Sequence, residues 1–193
     1  MAITYFGVCN SDGTPLIANP NQDFDGSPFL YYNGDAYVCP GSGNQVVQDL
    51  TVYCYGNLDV RLGIYSSDGT TLIAEGTSAV TIIGSDDSVW RWQGHIGQAN
   101  IKAAGTSNPA ILVGGTSYKL AVADNAGDPS PWIRIGMLGS GTPHYEISHN
   151  YISGMPSSIT TYDYEYGNGE FMRVGVSPAA TTRVSRHRVI FTG

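Results

Sequence analysis

The chain has 193 residues and is rich in Gly (25), Tyr (13) and Pro (10), while only 13% of it is charged, against the roughly one quarter usual in globular proteins. Sixteen acids against nine bases leave a formal net charge of -7, which argues against general nucleic-acid binding. No apolar run approaches the roughly 18 residues of a membrane-spanning helix, and a chain of this size buries a core without metals or disulfides.

Period-two alternation starts at once. Ile3 to Cys9 reads as a strand, and "NSDGTP" after it places Asp12-Gly13 in a tight turn. The opening "MAITYFGVCNSDG" carries neither the basic head nor the apolar run of a secretory signal. Either a signal has been cut away or the protein reaches its destination without one. Asn19 to Ser27 is turn-rich and reads as a loop. Phe29 to Tyr32, Ala36 to Cys39 and Val46 to Tyr55 follow as strands, punctuated by Asn33-Gly34 and "PGSGN".

The clearest pattern is "LDVRLGIYSSDGTTLIAEG", Leu58 to Gly76. Val60, Leu62 and Ile64 share one face of a strand; Arg61, Gly63 and Tyr65 share the other. Gly63 leaves space for a neighbouring side chain or a close backbone. With Asp68-Gly69 as the turn and Thr71 to Glu75 as the return, the stretch predicts a hairpin. Further strands are expected at Ala79 to Ile83, Ser88 to Gln93, Ala110 to Val113, Tyr118 to Ala123, Trp132 to Met137, His144 to His149, Phe171 to Val176 and Val184 to Phe191. His95 to Gly105 is the one place for a short helix.

Many short strands between Gly, Asn and Pro turns predict an all-β fold, an antiparallel β-sandwich with a jelly-roll-like layout. The expectation is a single domain over residues 1–193 with a long insertion at 151–169. Val60 to Tyr65, Asp68-Gly69, Leu72 to Glu75 and "GTSYKLAV", Gly115 to Val122, resemble a β-sandwich family of phage tail and capsid-surface proteins and of bacterial surface or carbohydrate-binding modules. The resemblance covers about Val46 to Ala123 and implies display, adhesion or assembly; it assigns no reactive residue.

Candidate sites lie outside that region. Tyr162, Tyr164 and Tyr166 in "TTYDYEYGNGEF" are alternate residues and would share one face of an extended strand, offering a stripe for packing, an oligomer contact or a sugar ring. Trp132 in "PSPWIRIG" alternates away from Ile133 and Ile135 and is a second binding candidate. Trp90 and Trp92 share a face that serves either the core or a platform. Arg183, Arg186 and Arg188 gather three of the nine bases near the end of the chain and are expected at an intersubunit contact.

Chemistry finds less support. Cys9, Cys39 and Cys54 are an odd number and read as small buried thiols, with a Cys39–Cys54 bridge as the alternative. Asp163, Glu165 and Glu170 could form the carboxylate pair of a polysaccharide hydrolase. Asp124 to Asp128 and Gly84 to Ser88 offer oxygen ligands for calcium, but ordinary Asx turns explain both. No nucleophile motif accompanies His95, His144, His149 or His187.

The reading is therefore of a non-enzymatic chain without a cofactor or metal site. The expected function is that of a phage structural protein, capsid-surface or tail, acting by self-assembly as a homo-oligomer or with other virion proteins. The alternative is a carbohydrate-binding module or receptor-binding fibre tip, which takes a glycan. Nucleic acid and membrane insertion are not expected, and the location is the virion surface or, failing that, extracellular or cell-surface.

Overall fold

The computed structural model describes residues 2–16, 21–25, 29–56, 59–82, 91–124, 133–137, 143–148, 153–167 and 172–180. In chain order the strands are β1 (Thr4–Gly7), β2 (Asn21–Asp25), β3 (Leu30–Asn33), β4 (Tyr37–Val38), β5 (Asn44–Gly56) and β6 (Asp59–Ser66). Then come β7 (Leu72–Gly76), β8 (Val80–Thr81), β9 (Arg91–Gly97), β10 (Ile101–Ala103) and β11 (Ile111–Val113). Last are β12 (Ser117–Asp124), β13 (Ile133–Met137), β14 (His144–Ile147), β15 (Tyr164–Tyr166) and β16 (Met172–Pro178).

These strands form two sheets packed face to face, with antiparallel pairing between all described neighbours. The first sheet runs β1-β16-β5-β13-β2, with β9 and β11 also on β5; the second runs β10-β7-β6-β12-β3-β14-β15, with β4 on β12 and β8 on β6. From β8 to β14 the chain crosses between sheets at every strand, so neighbours in sequence are seldom neighbours in a sheet.

Alternation explains the layers. Val60, Leu62 and Ile64 of β6 point between the sheets, against Leu50 and Val52 of β5, Leu120 and Val122 of β12, and Val174 of β16, all buried. Most of the opposite residues of β6 and β12 are buried as well. Tyr65, Ala121 and Ala123 form a second cluster with Leu30, Tyr32, Met155 and Ile159. Residues 153–159 therefore lie as a third layer over the outer face of the second sheet. Backbone-directed bonds hold that strap: Tyr65 Oη donates to Pro156 O (2.8 Å), Leu72 N to Ser157 O (2.8 Å) and Ile159 N to Gly69 O (2.8 Å). The space reserved by Gly63 is taken by Met155, whose Cε would stand 2.9 Å from an added Cβ.

The β6–β7 hairpin forms with Gly69 at φ 75°, the left-handed conformation that glycine adopts without strain. Asp68 Oδ1 accepts from Ser66 Oγ (2.6 Å), Thr70 Oγ1 (2.9 Å) and Thr70 N (3.1 Å), which lowers its pKa to about 2. The first turn repeats the device: Asp12 Oδ1 accepts from Thr14 N (2.9 Å) and Thr14 Oγ1 (2.7 Å).

Several expectations need correction. Asn19 to Ser27, read as a loop, contains β2, because pairing with β13 outweighs weak local strand propensity. The short helix expected within His95 to Gly105 is a single 3-10 turn, Gln98–Asn100, between β9 and β10, whose Ile96 and Ile101 are drawn into the core. Cys9, Cys39 and Cys54 are all free thiols, so the Cys39–Cys54 bridge does not form. Burial raises Cys9 and Cys39 to about 11. The strand expected at Val184 to Phe191 lies outside the described residues.

Candidate functional site: an aromatic sheet edge

The second sheet ends in β3, β14 and β15, and this end is paved with aromatic rings. The register places His144 opposite Tyr166, Tyr145 opposite Glu165 and Glu146 opposite Tyr164; on its other side, β14 sets Tyr145 against Tyr32. Because side chains alternate, two aromatic layers result, one on each face of the sheet.

On the face turned toward the first sheet, Tyr166 stacks on His144 with centroids 5.0 Å apart and planes 14° from parallel. Tyr164 meets Phe29 edge-on at 6.1 Å, and Phe29 meets Tyr31 at 5.9 Å. His144 is fully buried, with Nε2 3.1 Å from Glu146 Oε1. On the outer face Tyr162 packs on Tyr145 (4.5 Å), and Tyr145 on Tyr32 (5.2 Å), with Lys119 Nζ 5.7 Å from the Tyr32 ring centre.

The expectation that Tyr162, Tyr164 and Tyr166 share one face is thus corrected. The strand begins only at Tyr164. Asp163 sits in a bend, where its N–H donates to Glu146 O (2.8 Å) and its Oδ2 accepts from Ser148 N (2.8 Å). The bend turns Tyr162 to the outer face, beside Glu165, whose Oε2 accepts from Tyr162 Oη at 3.3 Å. All three rings are nevertheless open to solvent, at 50%, 50% and 43%, above a buried layer of Tyr31, Tyr32 and His144.

Electrostatically this end is acidic, and the phenols of Tyr32 and Tyr145 are held neutral. Burial first, then the neighbouring Tyr145 and Tyr162, raises Tyr32 to about 12; burial, then Glu165, raises Tyr145. At neutral pH Tyr32 and Tyr145 therefore keep hydroxyls that can donate or accept. The geometry suits contact with a flat partner.

A second aromatic cluster, on the outer face of the first sheet, was not foreseen. Arg173 of β16 lies between Tyr5 and Trp92, with its guanidinium carbon 4.6 and 4.4 Å from the ring centres. Its Nε donates to Thr51 Oγ1 (2.9 Å), Nη1 donates to Gly13 O, and Nη2 stands 3.7 Å from Asp49 Oδ2. Trp92 also packs on Tyr53 at 5.2 Å. In the sequence Arg173 is one more polar residue alternating out of a strand, and nothing local marks it as a hub.

The remaining candidates divide simply. Trp132, Arg183, Arg186 and Arg188 lie outside the described residues, as do Trp90, Glu170 and the stretch 84–88. Of Asp124 to Asp128 only Asp124 is described, and its Oδ1 accepts from Phe29 N at 3.3 Å. Asp163 and Glu165 are engaged as above. Among the described residues no group of three or more His, Cys, Asp or Glu is placed to hold a metal ion, and no helix is long and apolar enough to cross a membrane.

Fold and site together define an all-β protein of two packed antiparallel sheets, one of which ends in exposed aromatic rings. Compared with protein-family models and with curated proteins, the sequence matches none.

Proposed function

We propose that the chain is a structural component of a virion surface, capsid or tail, which acts by self-assembly and display and not by catalysis. One observation carries the reading: Tyr162, Tyr164 and Tyr166 stand half exposed on an aromatic-backed sheet end. Half-exposed tyrosines over a packed layer give a large contact area at little conformational cost, as anchor residues of interfaces do. The jelly-roll-like layout belongs to the same reading, supported by the repeated crossing of the chain between sheets. Sedimentation of the purified protein should reveal a defined oligomer, and Tyr164→Ser with Tyr166→Ser should weaken association by about tenfold or more. A monomer throughout the micromolar range refutes the reading.

A second reading, a carbohydrate-binding module or receptor-binding fibre tip, is favoured by the hydroxyl–carboxylate pair of Tyr162 and Glu165 beside an open ring. Sugars are held by just such a flat face with polar groups at its rim. A glycan array probed with the oligomer decides it, and silence across the array rejects it.

A further inference from the structure

We infer that copies of this chain associate head to tail, the tyrosine-bearing β15 end of one second sheet docking into a groove at the β10 end of the next. The inference rests on the self-assembly reading and names the two surfaces that meet.

The two surfaces are at opposite ends of the strand order of one sheet. At the β10 end an open groove of about 430 Å³ is lined by Arg61, Glu75, Thr77, Lys102, Thr106 and Ser107 among others. The Glu75 carboxylate is already committed: Oε2 accepts from Met155 N at 3.1 Å and lies 3.8 Å from Arg61 Nη1. Arg61 Nη1 also donates to Gly76 O at 2.7 Å. Lys102, across from Glu75 in the register, has no ion-pair partner among the described residues. The groove therefore offers a cation and a row of hydroxyls.

The β15 end offers the complement. Asp163 and Glu165 flank Tyr164, and neither β14 nor β15 contains a Lys or Arg; the one histidine, His144, is buried against Glu146. A chain of net charge -7 repels its own copies unless acids meet bases across the contact. A two-fold contact of β15 with β15 would set Asp163 and Glu165 near their own copies, whereas the groove brings them to Lys102.

Backbone geometry points the same way. The far side of β10 is occupied by the bridge from Lys102 to Pro109 and by Ala103 N donating to Asn108 O (3.0 Å). Proline has no N–H to offer a further strand, so strand addition is closed there and side chains must make the contact. Because two different surfaces meet, the assembly is a ring if the rotation closes and a filament if it does not.

Charge reversal tests this. Lys102→Glu and Glu165→Lys should each weaken self-association by about tenfold or more, and the chain carrying both should recover it. Mixing the two single variants should restore growth as alternating copies, since every contact between unlike copies then pairs a Lys with a Glu. Wild-type association should weaken from low to high salt, a readout that needs no variant. Thermal melts of each variant confirm that it is folded.

If Lys102→Glu assembles like wild type while Glu165→Lys or the tyrosine variant does not, the head-to-tail contact is wrong and self-assembly stands. In that case Lys102 and Pro109 only guard a sheet edge. A wild type that stays monomeric removes both the inference and the reading beneath it.

Discussion

Two aromatic clusters, one on each sheet, are built from the same residue types and do opposite things. Around Arg173 the rings of Tyr5 and Trp92 are filled by a guanidinium whose donors reach Thr51, Gly13 and Asp49. At β15 the rings of Tyr162 and Tyr164 find partners on one side only and leave the rest to solvent. Aromatic content alone therefore marks no site. What separates a brace from a contact surface is whether the polar and π-faces are already satisfied within the chain.

The sharpest way to break the comparison is at its closed end. Arg173→Met keeps bulk but removes the guanidinium that stands 3.7 Å from Asp49, a carboxylate only 4% exposed. Removing one partner of a buried pair costs about 3 kcal/mol or more, which for a chain of this size lowers Tm by roughly 6 to 12 °C. Arg173→Lys should recover little, because an ammonium cannot lie flat between two rings while bonding Thr51. Tyr164→Ser with Tyr166→Ser should instead leave Tm within a few degrees, since exposed positions change stability by about 0.5 kcal/mol each. Equal losses at both clusters, read by thermal melts, would erase the distinction.

A smaller effect is expected where the strap crosses the second sheet. Gly63→Val drives a branched side chain into Met155 and should cost about 1 to 3 kcal/mol by overpacking. Pairing it with Met155→Ala should return part of that loss, and a double-mutant cycle in denaturant measures the coupling. Additive losses would mean that the strap does not rest on Gly63.

The smallest effect is at the hairpin turn. The folded pKa of Asp68, about 2, lies below its ordinary value of 3.8, so its contribution is present above the ordinary value and is lost as pH falls through about 2. Asp68→Asn should flatten that part of the acid limb, and an NMR titration of the carboxyl in the folded protein should have its midpoint near 2. A midpoint at the ordinary value would show that the hydroxyl bonds from Ser66 and Thr70 do not persist in solution.

Much of this was legible in the residues themselves. The β6–β7 hairpin, its Asp68-Gly69 turn, the two faces of "VRLGIY" and the space at Gly63 follow from a period of two and from glycine's missing Cβ. Strand existence was legible along most of the described chain for the same local reason. Where pairing with a distant strand decides the outcome, as at β2, local composition misled.

The candidate site was legible only in part. The tyrosines of "TYDYEY" stand out by their density, but their division between two faces depends on Asp163, whose bend is set by bonds to Glu146 and Ser148, fifteen and more residues away in sequence. Alternation by itself determined which residues point together along each strand, because that rule acts between neighbours. Only the tertiary structure decided that Arg173 closes one aromatic cluster, that residues 153–159 cover the outer face of β6, and that Lys102 and Glu165 stand at opposite ends of one sheet. Those outcomes depend on which distant strands pair, and no local rule of side-chain direction contains that information.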